Sequence, residues 1–347
     1  MKIAILGAGN TGRIMAFDLT QKGAEVRLYT GSSEKAAYIA QNGLVAEGRL
    51  EGSARPAIVT TNMAEAVRGA EAVFVMTTAG GHRAIAQKFK PVAEKGQIVI
   101  VFNANWGALE FCEVLGIAPG SEDPELFIGE TGTQLYIGAA TGPGSVFVKQ
   151  VKAGVTVSLA SSVFSPQVID KLKPFFPQFT AAGNIVETSL SSANAIVHTP
   201  VCLFNLSRIE LRHDFLFYSE GASPSTVAYV ERIDEERVRV MQKLGLPAPN
   251  MLEVLNSFWP DKKTNLYDAI HENASYRTVP GPKSLEHRFF SEDIPFGIVP
   301  LVHLGRLLGV GTPYMDAMLE AFSRFMGRDF LAEGFRPDLA VVRAIVA

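Results

Sequence analysis

Lys2-Ile3-Ala4-Ile5-Leu6, then Gly7-Ala8-Gly9-Asn10-Thr11-Gly12, then Arg13-Ile14-Met15-Ala16-Phe17-Asp18-Leu19: this stretch decides the fold. An apolar run short enough for one buried parallel strand leads straight into a G-x-G-x-x-G turn. Apolar positions at helical spacing (Ile14, Met15, Leu19) follow it. Each glycine has a physical reason. Gly7 permits the tight turn, Gly9 lets backbone N–H groups approach a pyrophosphate, and Gly12 lets the helix pack closely on the strand. The helix N-terminus, with Asn10 and Thr11 beside it, carries partial positive charge toward the phosphates. A second strand, Glu25–Thr30, follows at the spacing of a βαβ unit. A glycine turn without a ligand accounts for the glycines alone. It does not account for strand, turn and helix in that order. The expectation is a dinucleotide-binding domain.

Composition narrows the remaining classes. The chain has 347 residues, room for roughly two domains. Its formal net charge is −3, and dispersed Lys and Arg argue against a nucleic-acid footprint. No apolar stretch approaches the about 20 residues of a membrane helix. The opening strand is too short, and too soon broken by glycines, for a signal peptide. Cys112 and Cys202 are the only cysteines, which suits a reducing, cytoplasmic compartment and excludes a disulfide framework. The histidines are scattered with no H-E-x-x-H or C-x-x-C pattern, so no metal site is expected.

The first half alternates strand and helix. Runs Ala72–Met76 and Gln97–Phe102 read as buried strands ending at Thr77-Thr78 and Asn103-Ala104-Asn105. Loops at such strand ends are where ligands bind, so Thr77 and Asn103 are candidate cofactor contacts, although Thr and Asn are also ordinary loop residues. The β-type segments Phe127–Gly129, Tyr136–Gly138, Val146–Val148 and Val155–Ser158 are expected on the same sheet through right-handed crossovers. From Ile185 the texture changes. Apolar positions recur at three and four, as in Leu301, Leu304, Leu307 and Leu308, and prolines punctuate the segments. The chain therefore reads as α/β: an N-terminal Rossmann domain over residues 1–182, then an all-α domain over residues 183–347. Such a plan is expected to place the active site in the cleft between the domains.

Hydride transfer to a carbonyl-derived carbon needs a proton donor, and a substrate carboxylate needs a cation. Two segments offer them. In Ser191–Pro200, Asn194 and His198 are four apart and share a helix face. In Arg288–Gly297, a cation and two carboxylates stand close together. An imidazole on an apolar helix is as readily a core residue, and Asp293 before Pro295 is as readily a helix cap. Spacing does not separate these readings.

The chain resembles the opine dehydrogenases, the group that includes octopine and carboxyethyl-norvaline dehydrogenases. The resemblance is densest in Ile196–Pro200, Asn265–Ile270, Asn273–Tyr276, Ser291–Gly297, Leu308–Pro313 and Met326–Leu331, with Glu130-Thr131 a further shared feature. The resemblance implies NAD(P)H-dependent condensation of an amino acid's amino group with a 2-oxo acid, usually pyruvate. It makes His198 the acid/base, Asp293 its orienting partner and Arg288 the clamp on the oxo-acid carboxylate. Apart from the resemblance, Asn194 and Tyr276, the latter in a segment Asn273–Tyr276 that is as readily a solvent-facing loop, are candidate substrate contacts. An imidazole bonded to a carboxylate keeps one tautomer, and Arg grips a carboxylate bidentately, so the roles make chemical sense. The residues after His198 depart from octopine dehydrogenase, which leaves the amino-acid partner open. A ketopantoate-reductase-like or 2-hydroxy-acid dehydrogenase, with the same plan and no amine, is the alternative. The expected partners are small molecules only, with no nucleic acid and no membrane, and a homodimer is left open.

Cofactor choice rests on the end of the second strand. Enzymes selective for NAD usually carry Asp or Glu there, which binds the ribose hydroxyl and repels a phosphate. This chain has Thr30-Gly31-Ser32-Ser33-Glu34-Lys35. Hydroxyls of Thr30 and Ser32, with Lys35, suit a phosphate, so both NAD(H) and NADP(H) are expected to work, with NADP weakly favoured.

Overall fold

The structure, a computed structural model, describes residues 1–347. It divides into two compact units, Met1–Thr188 and Ser189–Ala347. The first unit holds all the strands: β1 (Lys2–Leu6), β2 (Glu25–Tyr29), β3 (Leu44–Gly48), β4 (Gly52–Ala54), β5 (Ile58–Thr60), β6 (Ala72–Val75), β7 (Ile98–Val101), β8 (Phe127–Thr131), β9 (Tyr136–Ala140), β10 (Ser145–Val151), β11 (Val155–Leu159) and β12 (Phe179–Ala181). The main sheet runs β12-β11-β8-β7-β6-β1-β2-β5 and is parallel except where β11 meets β8. Strands β1, β6 and β7 are apolar at nearly every position because helices cover both faces of such a sheet. From β1 the chain builds to one side through β2 and later to the other through β6. That reversal opens a crevice at the carboxyl ends of β1 and β6.

One expectation fails here. Tyr136–Ala140 and Ser145–Val151 are not on the main sheet. They form a second sheet, β4-β3-β10-β9, in which β10 lies parallel to β3, about a hundred residues earlier in the chain. The physical reason is the helix Asn10–Gln21. Its Asp18 carboxylate accepts the Tyr136 hydroxyl at 2.6 Å, and the Arg13 guanidinium donates to the carbonyls of Gly142 and Pro143. Gly138 has no room for a side chain against Phe147 and Ile14. These side-chain ties hold β9 and β10 to the helix.

The second unit is helical, with one isolated bridge between Leu216 and Pro280. Its longest helix, Pro224–Lys243, carries buried charge that organises its neighbours. Glu236 accepts the backbone N–H groups of Tyr314 (2.8 Å) and Met315 (2.9 Å), tying down the start of helix Pro313–Met326. The fully buried Arg237 pairs with Asp234 at 2.7 Å, and Asp234 also accepts Met251 N–H. No helix is long and apolar enough to cross a membrane.

Candidate functional site

In the first unit the glycines divide their labour as the motif requires. Gly7 has φ +127°, and a Cβ there would lie 2.7 Å from the Met76 carbonyl oxygen. A Cβ on Gly12 would lie 1.9 Å from the Gly7 oxygen, so only glycine lets the helix sit on this turn. A Cβ on Gly9 would meet nothing within 4 Å. The space over Gly9 and the free helix N-terminus form a cradle of the kind a pyrophosphate fills. Asn10 Oδ1 accepts Ala140 N–H at 3.1 Å, and Thr11 follows it in the first turn. At the end of β2, Thr30 Oγ1 accepts Ser32 N–H at 3.3 Å, while Ser32 Oγ accepts Lys35 N–H and caps helix Ser33–Asn42. Both hydroxyls thus keep a proton to donate outward. Thr77 sits beside Gly7, and its hydroxyl is buried with no protein partner.

Beyond β7 the backbone is strained. Asn103, Ala104, Asn105 and Trp106 have φ of 76°, 37°, 55° and 68°, a left-handed run without a single glycine. Each such residue costs about 1–3 kcal/mol and persists only where its surroundings dictate it. Here Thr131 Oγ1 accepts Asn103 N–H at 3.0 Å, and Glu130 accepts Ala108 N–H at 3.0 Å and the Thr188 hydroxyl at 2.8 Å. Lys152 donates to Thr133 in the same network, and burial pulls its amine down to about 7. Against Gly107, where the next helix starts, His82 and Glu110 are buried together, Nδ1 and Oε2 being 3.9 Å apart, a contact too long for a hydrogen bond. Burial lowers His82 to about 4 and raises Glu110 to about 7. Sequence reasoning missed Lys152, His82 and Glu110, since nothing in their spacing marks them.

In the second unit His198 and Asp293, 95 positions apart, meet. His198 Nδ1 lies 2.7 Å from Asp293 Oδ2, and both residues are almost fully buried. His198 stands on helix Ala193–Leu203, one turn after Asn194. Asp293 precedes a π-helical turn, Ile294–Ile298, and its side chain makes no capping bond there, so the helix-cap alternative fails. Such turns frequently occur at functional sites. Gly297 explains the motif's glycine: a Cβ there would lie 2.2 Å from Ala195 Cβ, so glycine alone lets the turn pack on the His198 helix. Phe289 lies over the imidazole at 4.0 Å and Phe217 meets it edge-on at 5.7 Å.

Two further groups complete the constellation. The Tyr218 hydroxyl lies 2.9 Å from His198 Nε2, and Tyr276 stacks on the Tyr218 ring at 4.6 Å. A carboxylate only accepts, so Nδ1 carries the proton facing Asp293, and in the neutral ring Nε2 accepts from Tyr218. Arg288 is exposed, lies over Phe289 and stands 3.8 Å from Glu292. His287 is pushed down to about 4 by burial, then by Arg288 and His198. Tyr218 carried no sequence signal beyond an aromatic run, Phe215-Leu216-Phe217-Tyr218, inside a loop. No three His, Cys, Asp or Glu side chains converge as a metal-binding set.

Comparison with known proteins adds the following. Residues 181–326 match the family described as NAD/NADP octopine/nopaline dehydrogenase, alpha-helical domain. Residues 3–118 match ketopantoate reductase PanE/ApbA, a likeness that stops short of His198, Arg288 and Asp293. An opine dehydrogenase from Arthrobacter sp. (strain 1C) is 32% identical over 334 residues, 95% of this chain and 92% of the relative. In fold the chain is similar to octopine dehydrogenase in complex with NADH and agmatine, at a TM-score of 0.78 and 19% identity over 99% of this chain and 94% of that one. It is similar also to yersinopine dehydrogenase with NADP+ bound, at 0.71 and 18% over 99% and 97%.

Proposed function

The chain belongs to the opine dehydrogenase family and is a nicotinamide-dependent oxidoreductase acting on CH–NH bonds; from that premise we propose that it condenses the amino group of an amino acid with a 2-oxo acid, pyruvate first, to an N-(carboxyalkyl) amino acid, and runs the reverse oxidation. His198 is the general acid/base, Asp293 orients it and Arg288 holds the oxo-acid carboxylate. The observation that carries this reading is the buried imidazole with one nitrogen on a carboxylate and the other on a hydroxyl.

The dinucleotide, held over Gly9 and the first turn of helix Asn10–Gln21, supplies the hydride when bound. Thr77, beside Gly7, and Asn103, just past the end of β7, are its further contacts. NADPH is the modestly preferred form, because Thr30 rather than a carboxylate follows β2 and Lys35, beside an opposing Glu34, stands in the next helical turn. His198 first takes a proton from the incoming ammonium, which frees the amine to attack the oxo carbon. It then returns that proton to the carbinolamine hydroxyl, so water leaves and the C=N bond closes. Arg288 presents a planar fork, which fixes the carboxylate's face as well as its charge. Tyr276, stacked on Tyr218, and Asn194, one turn from His198, are the further substrate contacts. The two buried, unpaired cysteines suit a reducing cytoplasm.

The test is a crossed screen of 2-oxo acids and amino acids, following loss of reduced-cofactor absorbance. Turnover is expected only with both substrates present. Oxidation of the cofactor by an oxo acid alone would reassign the enzyme to hydroxy-acid chemistry. His198→Ala should lower turnover about 10²–10⁴-fold with cofactor affinity unchanged.

A further inference from the structure

We propose that the Tyr218 hydroxyl is the proton relay between His198 and the substrate oxygen. This rests on reading His198 as the acid/base. Four observations carry it. Asp293 occupies Nδ1, so the exchangeable proton belongs to Nε2. Phe289 and Phe217 flank the ring. Nε2 faces the Tyr218 hydroxyl at 2.9 Å. The phenol is locked in place: Tyr276 stacks on it, Phe217 N–H donates to the Val279 carbonyl at 2.8 Å, and a Cβ on Gly221 would strike the Phe217 oxygen at 2.4 Å. Arg288 lies over Phe289, and Phe289 lies against the imidazole, so clamp and relay address one region.

The relay balances. The imidazolium passes Nε2–H to the Tyr218 oxygen while Tyr218 passes its own proton to the departing carbinolamine hydroxyl. The C–O bond breaks, water leaves, and the nitrogen lone pair closes C=N. His198 ends neutral and Tyr218 ends as phenol. Run in the other direction, the same path accepts the ammonium proton. Burial, then the neighbouring Tyr276, holds the phenol well above its ordinary value. That disfavours tyrosinate, in keeping with two proton transfers that run together.

Tyr218→Phe keeps the ring and its stack and removes the hydroxyl. Its kcat should fall about 10²-fold, with NADH affinity and Tm unchanged. The wild-type proton inventory in mixed H₂O and D₂O should bow, and the variant's should be linear. Without a donor on neutral Nε2, the His198 limb of the kcat/KM profile should move to higher pH. The charged or titratable groups facing this pair, Asp293, Arg288, His287, Cys202 and Tyr276, are the same in both proteins. A merely structural role would lower Tm and leave the limb and the inventory in place. Wild-type kcat in Tyr218→Phe would overturn the relay. If that variant fails to fold, a ring-fluorinated tyrosine at this position keeps the hydroxyl. Its kcat should follow the phenol's acidity, and an unchanged kcat would count equally against the relay. An inactive His198→Ala beside a fully active Tyr218→Phe would remove the relay alone. An active His198→Ala would remove the acid/base reading and the relay with it.

Discussion

Gly9 and Gly12 stand three positions apart and are constrained in opposite ways. Gly9 has φ −72° and open space where a Cβ would go, so Gly9→Ala should leave Tm within about 1 °C. The same methyl intrudes where a pyrophosphate would lie, so dinucleotide affinity should fall at least about tenfold. Gly12→Ala should do the reverse first: its Cβ meets backbone, and destabilisation should reach the top of the about 1–3 kcal/mol range for overpacking. Calorimetry with fluorescence titration separates the two, and equal losses of Tm would contradict the division. Arg288 makes a third prediction. Arg288→Ala should raise the KM for the oxo acid with little change for the cofactor, and Arg288→Lys should rescue only in part because the fork is gone. An unaltered oxo-acid response would exclude the clamp. The turn at Gly7 and the close packing at Gly12 were legible in the sequence because they depend on local geometry. His198 and Asp293 were not legible by spacing, since each has an ordinary structural reading and only tertiary packing joins them. Tyr218 left only an aromatic run as a trace: a tyrosine in a loop becomes informative only when its hydroxyl meets a particular nitrogen.

At the scale of elements, alternation announces a strand without saying which sheet it joins. β9 and β10 were legible as strands and misplaced, because the partner of β10 is β3, and the ties to Asp18 and Arg13 are side-chain contacts. Likewise the segment after β7 read as a polar loop, while its left-handed run is held at one end by Thr131 accepting Asn103 N–H and, just past the other, by Glu130 accepting Ala108 N–H. The same loop leads into helix Gly107–Leu115, which buries Glu110 against His82. Their titrations oppose each other. Native Glu110, at about 7 against an ordinary 4.5, contributes stability at low pH that is lost as pH rises through 7. Native His82, at about 4 against 6.5, contributes stability above pH 6.5 that is lost as pH falls through 4. Those windows overlap from pH 4.5 to 6.5, where the slopes cancel in part, and above pH 7 the Glu110 penalty stands alone. Glu110→Gln should therefore leave Tm nearly unchanged at pH 5 and raise it by roughly 5 °C at pH 8. Differential scanning calorimetry at the two pH values decides it, and an equal shift at both would show that Glu110 does not titrate in this window.

For the whole molecule, the change of apolar pattern at Ile185 made the two-part plan legible, since buried strands read as short apolar runs and helices as three-and-four spacing. Compactness divides the chain at Thr188, inside the helix that begins at Ile185, because Thr188 is tied back to Glu130. Cofactor choice is read at this scale too, because a ligand that binds only the native chain stabilises all of it that unfolds together. That gain is RT ln(1 + [L]/Kd), about 2.7 kcal/mol at a hundredfold excess over Kd. Both reduced cofactors should therefore raise Tm, with no turnover needed, and NADPH should raise it more at equal concentration. The reason is local: Thr30 and Ser32 spend their acceptor oxygens on backbone N–H groups and keep protons to donate, and Lys35 adds charge in the first turn of the next helix. Glu34 opposes them, which keeps the preference below about tenfold, or 1.4 kcal/mol. Thr30→Asp can still accept Ser32 N–H, so the turn survives, while its carboxylate repels a phosphate and accepts a ribose hydroxyl. The order of the two thermal shifts should then reverse. A larger NADH shift in the wild-type chain would instead assign these hydroxyls to the plain ribose, and Thr30→Asp would only widen that gap.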